Sequence, residues 1–363
     1  WLHMTGKASA EFLRDQGRQG TGYEYERWHE RENPPFPWDD LLAWVKGRFG
    51  KIDAIHIAWP DMLTQFITKH GGSGARDPGM LGLLQAAHGI TSGIEKNLPA
   101  STSGYLRQDA THMWLSSAFG YSQRNVLADP PELLATQGWS RLIEEIQGIL
   151  AELKQLGETN TPDTGNWWNW RERAIGPESL LRQAFSCTLA ETRLPNNDVT
   201  LWDQSYVAAA LFKSAVAGAI LEADKFPWKN NQIKQTTRWR LLTVGIGADH
   251  YEARSVRIGD WLGAWEAIDA FFERVRRLVE VDIAVGALLY RDGAAAVFSF
   301  PGARSKAESQ SQGLDRDSWS RWFQNEVDKL AQTLKLETPP YSCISDSNRS
   351  LVPMAKETQQ ARE

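Results

Sequence analysis

Apolar residues recur at three- and four-residue spacing through the N-terminal half of the chain and at alternate positions near its C-terminus. The first spacing is that of one face of an α-helix, the second that of one face of a strand. The most apolar helical run opens at Asn197-Asp198-Val199-Thr200-Leu201-Trp202-Asp203-Gln204-Ser205-Tyr206 and reaches Glu222. Ahead of it, residues 132–156 carry Leu142, Ile143, Ile146, Ile149, Leu150 and Leu153 at helical spacing, with Gly157 as the predicted C-cap. Asp39 caps a predicted helix through Val45, residues 51–70 read as another, and Asp77-Pro78-Gly79 starts one that runs to Lys96. Residues 177–192 read as a further helix, residues 21–33 and 101–129 as loops, and residues 160–166 as a linker. His29 then falls in a loop as a solvated side chain.

The C-terminal part changes period. Trp239 to Gly247 alternates and ends in glycines, as a strand does. Residues 258–280 form a predicted helix on Trp261, Trp265, Ile268, Phe271, Phe272 and Val275. Strands follow at 281–290 and 295–300, joined by the two-residue hairpin signal Asp292-Gly293. A helix over 318–336 and a strand over 341–345 complete a βαββαβ order, the ferredoxin-like plan. The predicted fold class is α+β: a helical bundle over residues 1–130, a helical region over 131–235 that completes it, the βαββαβ domain over 236–350, and a tail over 351–363.

Composition narrows the picture. A chain of 363 residues with 42% apolar residues has room for two or three domains with real cores. A net charge of -5 and a pI of about 5.9 exclude a surface coated in positive charge, and leave room for a local basic face. Cys187 and Cys343 lie too far apart in sequence to form a ligand pair, which suits a reducing, cytoplasmic compartment. No apolar run approaches about 18 residues, so no membrane span is predicted, and no signal peptide is visible. The 17 Trp point to large cores plugged by indoles. Trp167-Trp168-Asn169-Trp170-Arg171-Glu172-Arg173 reads either as a stacking surface for single-stranded RNA or as the place where one domain docks on another. The chain opens on Trp1 with residues that read like the inside of a helix, so it is expected to begin within a longer protein.

Three stretches carry candidate chemistry. Leu2-His3-Met4-Thr5-Gly6-Lys7 resembles the Leu-Leu-His-Asp-x-Gly-Lys signature of HD phosphohydrolases, with Met4 at the Asp position. The run from Ala86 to Lys96 resembles a helix in which the distal metal-ligating Asp follows Ala, and His88 stands at that position. The stretch at Leu201 to Tyr206 is similar to a helix start of the form Leu-Trp-Asp-His-Ser, and Gln204 stands where His is expected. In this order the three resemble the permuted HD domain in the large subunit of type III CRISPR effector complexes. The resemblance implies an HD-type bundle followed by polymerase-like palm domains. A thioether cannot replace a hard carboxylate, and a Gln amide is a weak neutral ligand. The expectation is a degenerate HD site at His3, Met4, His88 and Gln204, holding no metal and lacking nuclease activity.

The same resemblance extends to the C-terminal part. The family's catalytic palm carries Gly-Gly-Asp-Asp in the hairpin between its second and third strands; here that hairpin reads Tyr290-Arg291-Asp292-Gly293. Gly-Gly-Asp-Asp is absent from the chain, and Asp292 reads as a turn former. Leu-Leu-Tyr-Arg-Asp-Gly preceded by Ala-Val-Gly is similar to the first, non-catalytic palm. That similarity implies Gly245, Gly247, Asp249 and Arg291 as nucleotide contacts, with ATP and Mg or Mn bound only alongside a partner palm. It also implies other effector subunits, guide RNA and target RNA as partners, and no membrane. Two other readings stay open. One is an active metal-dependent HD phosphohydrolase using His3, His88 and another imidazole such as His56 or His70; the other is a purely structural ribonucleoprotein scaffold.

Overall fold

Where the helical period persists the chain coils, and where it gives way to alternation the chain builds one four-stranded sheet. The computed structural model describes residues 1–15, 24–31, 36–72, 74–95, 136–158, 164–190, 199–305 and 313–362, with a few positions between 114 and 128. It divides into two units: residues 1–75 with 88–209, and residues 76–87 with 210–363. The fold class is α+β.

The first unit is helical. Its elements include α1 (Ala10–Asp15), α2 (Trp38–Phe49), α3 (Gln65–Thr68), the second half of α4 (Gly79–Glu95), α5 (Thr136–Glu158), α6 (Thr164–Ile175), α7 (Leu180–Ser186) and the start of α8 (Leu201–Leu221). Its core gathers Met4, Phe12, Leu13, Leu142, Ile146, Leu181, Phe185, Leu201 and Trp202. The α5 stripe enters this core as its spacing predicts: Leu142, Ile143, Ile146 and Ile149 are all buried. Gly157 is not a cap. It lies inside α5, and a Cβ there would run into the Trp44 ring, so the glycine lets that indole close on the helix.

Three other expectations for this unit are corrected. Residues 51–70 do not form one helix. Lys51–Ile52 (β1) pairs with Ile55–His56 (β2) around Asp53, which takes a left-handed φ of 53°, and helix returns only at α3. His29 is not a solvated loop residue. It is buried in a 3-10 turn over Glu24–Glu30, its ring edge-on to Trp28 at 5.8 Å and to Trp38 at 5.9 Å. The helix expected over 177–192 is confined to α7, because the chain leaves it to pair Leu189 with Thr200. The predicted loop at 101–129 falls mostly outside the described residues; among the few described there, Trp114–Leu115 (β3) and Arg124–Asn125 (β4) form a short antiparallel ladder. The linker at 160–163 and the start of α5 at 132 also lie outside them.

The second unit is built on β5 (Trp239–Gly245), β6 (Leu288–Arg291), β7 (Ala295–Pro301) and β8 (Tyr341–Ile344). All pairings are antiparallel in the order β6-β7-β5-β8, the strand order of a ferredoxin-like βαββαβ sheet. Two helices cover one face: α11 (Ile258–Arg277), which follows the short α10 (Ala248–Arg254), and α12 (Arg316–Thr333). Leu242 and Val244 of β5, Phe298 and Phe300 of β7, and Ile344 of β8 meet Phe271, Phe272, Val275, Phe323 and Val327 there. Against the other face runs the second half of α8. Ser214 donates to the Ser299 hydroxyl at 2.7 Å, and Ser299 donates to the Ala210 carbonyl at 2.9 Å.

Two sequence boundaries move in this unit. The strand expected from Val281 begins only at Leu288. The chain first makes a π-turn over Leu278–Asp282 and bends at Ala284, whose φ is 53°. The buried Glu280 carboxylate accepts from the Leu288 backbone N–H at 2.8 Å and so sets where β6 starts. Residues 351–362, outside every predicted element, form α13 (Leu351–Arg362). It packs on β5 with Met354 fully buried and Thr358 bonded to Thr243 at 3.3 Å. The expectation that no run reaches membrane-spanning length is also corrected. By length and composition, α8 qualifies, with a mean hydropathy of 1.3. Half of that stretch is buried in the protein, and its apolar residues serve the cores of the two units.

Candidate functional site

The first turn of the chain is a 3-10 helix, Leu2–Ala8. Local bonds shape it: the Thr5 hydroxyl donates to the Leu2 carbonyl at 2.8 Å, and the Ser9 hydroxyl donates to the Gly6 carbonyl at 2.9 Å. The turn buries His3 and Met4 on the inside of the first unit. His88, on α4, brings its Nδ1 to 3.3 Å from His3 Nε2. His70, just after α3, completes a group of three: its ring centroid lies 4.9 Å from that of His3 and 4.6 Å from that of His88. The three rings meet nearly at right angles, at 80°, 82° and 88°. His70 Nδ1–H donates to the Ile67 carbonyl at 2.5 Å; since a carbonyl only accepts, this fixes the tautomer and leaves Nε2 as the basic nitrogen. His56, the other spare imidazole, is exposed in β2 and stands outside the group.

This environment favours neutral imidazole. Burial holds His3 well below the ordinary histidine range, and the positive charge it would share with His70, His88, the amino terminus and Lys7 lowers it further. Burial also brings His70 down to about 4, against the pull of the Ile67 carbonyl and with Lys7 adding to the fall. Among the described residues, no carboxylate is one of the groups that shift either ring.

The remaining positions explain why. Met4 is fully buried in the core with Phe12, Leu201 and Trp202, so it is a packing residue. Gln204 is buried one turn into α8. That helix is started by a reciprocal cap: Thr200 N–H and hydroxyl donate to Asp203 Oδ2 at 3.1 and 2.7 Å, and Asp203 N–H donates to the Thr200 hydroxyl at 3.2 Å. Asp203 is thus spent on the helix start. A hard divalent ion needs carboxylate or water oxygens beside imidazole. Here a thioether and an amide stand at two of the four positions, and among the described residues no group of three or more His, Cys, Asp or Glu side chains is arranged to hold a metal. Met4 and Gln204 therefore offer no hard anionic oxygen at their two positions.

In the second unit the four nucleotide-contact candidates lie at the ends of β5 and β6 and at the start of α10. Gly245 ends β5 beside the hairpin, paired with Ala295 and Tyr341; a Cβ there would run into the Tyr341 ring. Gly247 precedes α10, whose first turn holds the exposed Asp249. Arg291 turns instead toward α11, bonded to Asp269 and, at 3.4 Å, to Glu273, with its guanidinium 5.1 Å over the Phe272 ring. Asp292 builds the turn: its carboxylate accepts from Ala294 N–H at 2.9 Å, Ala295 N–H at 2.8 Å and the Tyr290 hydroxyl at 3.0 Å, and pairs with Arg362 of α13. Burial opposes ionisation there, but these donors outweigh it and hold Asp292 below the usual carboxylate range. Asp292→Ala should lower the stability of this unit by about 1–3 kcal/mol, the cost of stripping donors of their acceptor. An unshifted urea midpoint would show that the turn does not need the carboxylate.

The Trp cluster is built into the first unit. Trp170 Nε1–H donates to the Ile149 carbonyl at 3.0 Å, with the rings of Trp1 and Trp167 each 6.2 Å away. Arg171 lies 5.4 Å over Trp168 and pairs with Glu172 at 2.5 Å, and Arg173 pairs with Glu152 at 2.6 Å. The guanidiniums of this helix therefore face carboxylates.

The molecule is an α+β chain with a cluster of three imidazoles in its first unit and a four-stranded sheet of ferredoxin-like strand order in its second. Its fold is shared with a chain of the crystal structure of the Csm1–Csm4 cassette in complex with cA4, over 99% of this chain and 46% of that one, at 11% identity and a TM-score of 0.50. The chain thus spans less than half the length of that relative. No family model matches it, and no curated protein matches it.

Proposed function

We propose that this chain is part of the large subunit of a type III CRISPR effector, supplying an HD-like helical unit without nuclease chemistry and a first, non-catalytic palm. The observation that carries the reading is the fold likeness to the Csm1–Csm4 cassette across 99% of the chain. The family resemblance around His3, His88 and Gln204, and the βαββαβ strand order, support it independently. In this role the chain scaffolds the RNA-guided complex in the cytoplasm, beside other effector subunits, guide RNA and target RNA. It contributes to cyclic oligoadenylate synthesis from ATP only when a second palm bearing Gly-Gly-Asp-Asp joins it. The binding of cA4 belongs to the relative, and carries over as part of this reading. Its own hairpin offers one carboxylate, and Arg362, Tyr290 and two backbone N–H groups already engage it. Two-metal phosphoryl transfer needs more acidic ligands than that.

The test is incubation with ATP and Mg or Mn, with and without the partner palm. Oligoadenylate should form only in the pair, and a reconstituted pair that makes none would sink the reading. A second reading rests on the same rings: His70 joins His3 and His88, the imidazoles that a rearranged metal-dependent phosphohydrolase site would draw on, although they are not arranged to hold an ion as they stand. Metal analysis of the purified chain separates the two, since stoichiometric transition metal would favour the second.

A further inference from the structure

The chain is acidic overall, yet residues 225–240 hold five cations, Lys225, Lys229, Lys234, Arg238 and Arg240, and no carboxylate. The stretch follows α8, makes the short helix α9 (Ile233–Thr236), and leads into β5. The fold keeps four of the five cations outside. Lys225 and Lys229 are exposed and Lys234 and Arg238 half-exposed, while Phe226, Trp228 and Ile233 turn inward as anchors. Tertiary structure adds two more cations from distant sequence. Arg304 lies 4.4 Å over the Phe226 ring and lines the same small cleft as Arg238. Burial first, and then the nearby charge of Arg76, depress the Lys234 ammonium below its usual value. Carboxylates border the patch as well: Glu222, which lines the cleft of Arg238 and Arg304 and lies 3.6 Å from Lys225, the exposed Asp224, and Asp77 next to Arg76 in sequence.

We infer that this cationic face, formed by Lys225, Lys229, Lys234, Arg238, Arg304 and Arg76, binds the sugar–phosphate backbone of a single-stranded nucleic acid. Clustered cations in an acidic protein mark a place where negative charge is received. Exposed amides and hydroxyls interleave with the cations, at Asn230, Asn231, Gln232 and Thr236, and such groups are the usual uncharged partners of phosphate and sugar oxygens. The aromatic residues of the stretch are buried, so the contact reads backbone and not base. The assignment stands on the patch itself; if the effector reading holds, it locates one of the RNA contacts that reading needs.

The experiment measures fluorescence anisotropy of a labelled single-stranded RNA with the full chain, across a salt series and without ATP. Each phosphate contact on a single strand contributes about 0.7 to the log–log salt slope. The triple variant Lys229→Gln, Lys234→Gln, Arg238→Gln should reduce that slope by about 2 and weaken binding on the order of tenfold at low salt. Circular dichroism checks that the variant folds; if it does not, Lys225→Gln with Lys229→Gln, both at exposed positions, carries the test. Equal affinity and slope in a folded variant would overturn the inference. So would binding of polyglutamate in place of RNA, which would make the face a dock for an acidic protein. Because no oligoadenylate synthesis is scored, failure here is distinct from failure of the effector reading.

Discussion

Acidification from pH 7.5 to pH 5 should cost the first unit about 2 kcal/mol of stability through His70 alone. The sign follows from the two states. Unfolded, the imidazole titrates at its model value of 6.5; folded, it titrates at about 4. Above 6.5 both states are neutral and stability is fully present. Below it the unfolded chain gains a proton that the folded chain refuses, so stability falls continuously until the pH reaches the folded value. His3 is displaced in the same direction and adds to the loss. The cause is burial first: a protonated ring would hold its charge out of water, and Lys7 repels it at both His3 and His70. Hydrogen exchange across residues 1–15, 62–75 and 88–92 at several pH values reads the loss where it occurs, and His70→Asn should flatten the dependence. Protection of these segments that is the same at pH 5 as at 7.5 would show that the cluster takes up protons freely.

Trp239→Ala should destabilise the second unit by about 3–5 kcal/mol. Trp239 is 1% exposed at the start of the central strand β5, and its indole N–H donates to the Leu211 carbonyl of α8 at 2.8 Å. Its backbone N–H donates to Asn348 O at 2.8 Å and its carbonyl accepts from Asn348 N–H at 2.9 Å, so the same residue holds the segment ahead of α13. Truncation leaves a cavity between a strand and a helix that the sheet's other pairings hold in place, and so limits collapse. Trp239→Phe keeps most of the volume and loses the donor, and should cost about 1–2 kcal/mol. Loss of exchange protection in β5, β7 and β8 reports the effect in this unit. A Trp239→Ala chain with wild-type protection there would mean that the indole is not part of the core.

Local pattern carried the sequence a long way. The period of Leu142 to Ile149 dictated α5, the alternation from Trp239 dictated β5, and Asp292-Gly293 dictated the hairpin, because each signal lies within a few residues of the structure it specifies. The weak ligand chemistry of Met4 and Gln204 was equally legible, since it belongs to the side chain itself. What the sequence left undecided depends on contacts across long separations. His70 was one of two spare imidazoles until the fold set it against His3 and His88 and left His56 in solvent. His29 looked solvated because the Trp28 and Trp38 rings that enclose it are not a periodic pattern. The start of β6 depends on the Glu280 carboxylate eight residues away, and α13 depends on a sheet face for its few apolar contacts. Sequence alone determined the strongly periodic elements and the chemical character of each position. Tertiary structure decided which positions meet, because burial, and with it the charge state of an imidazole, is a property of neighbours that only the folded chain supplies.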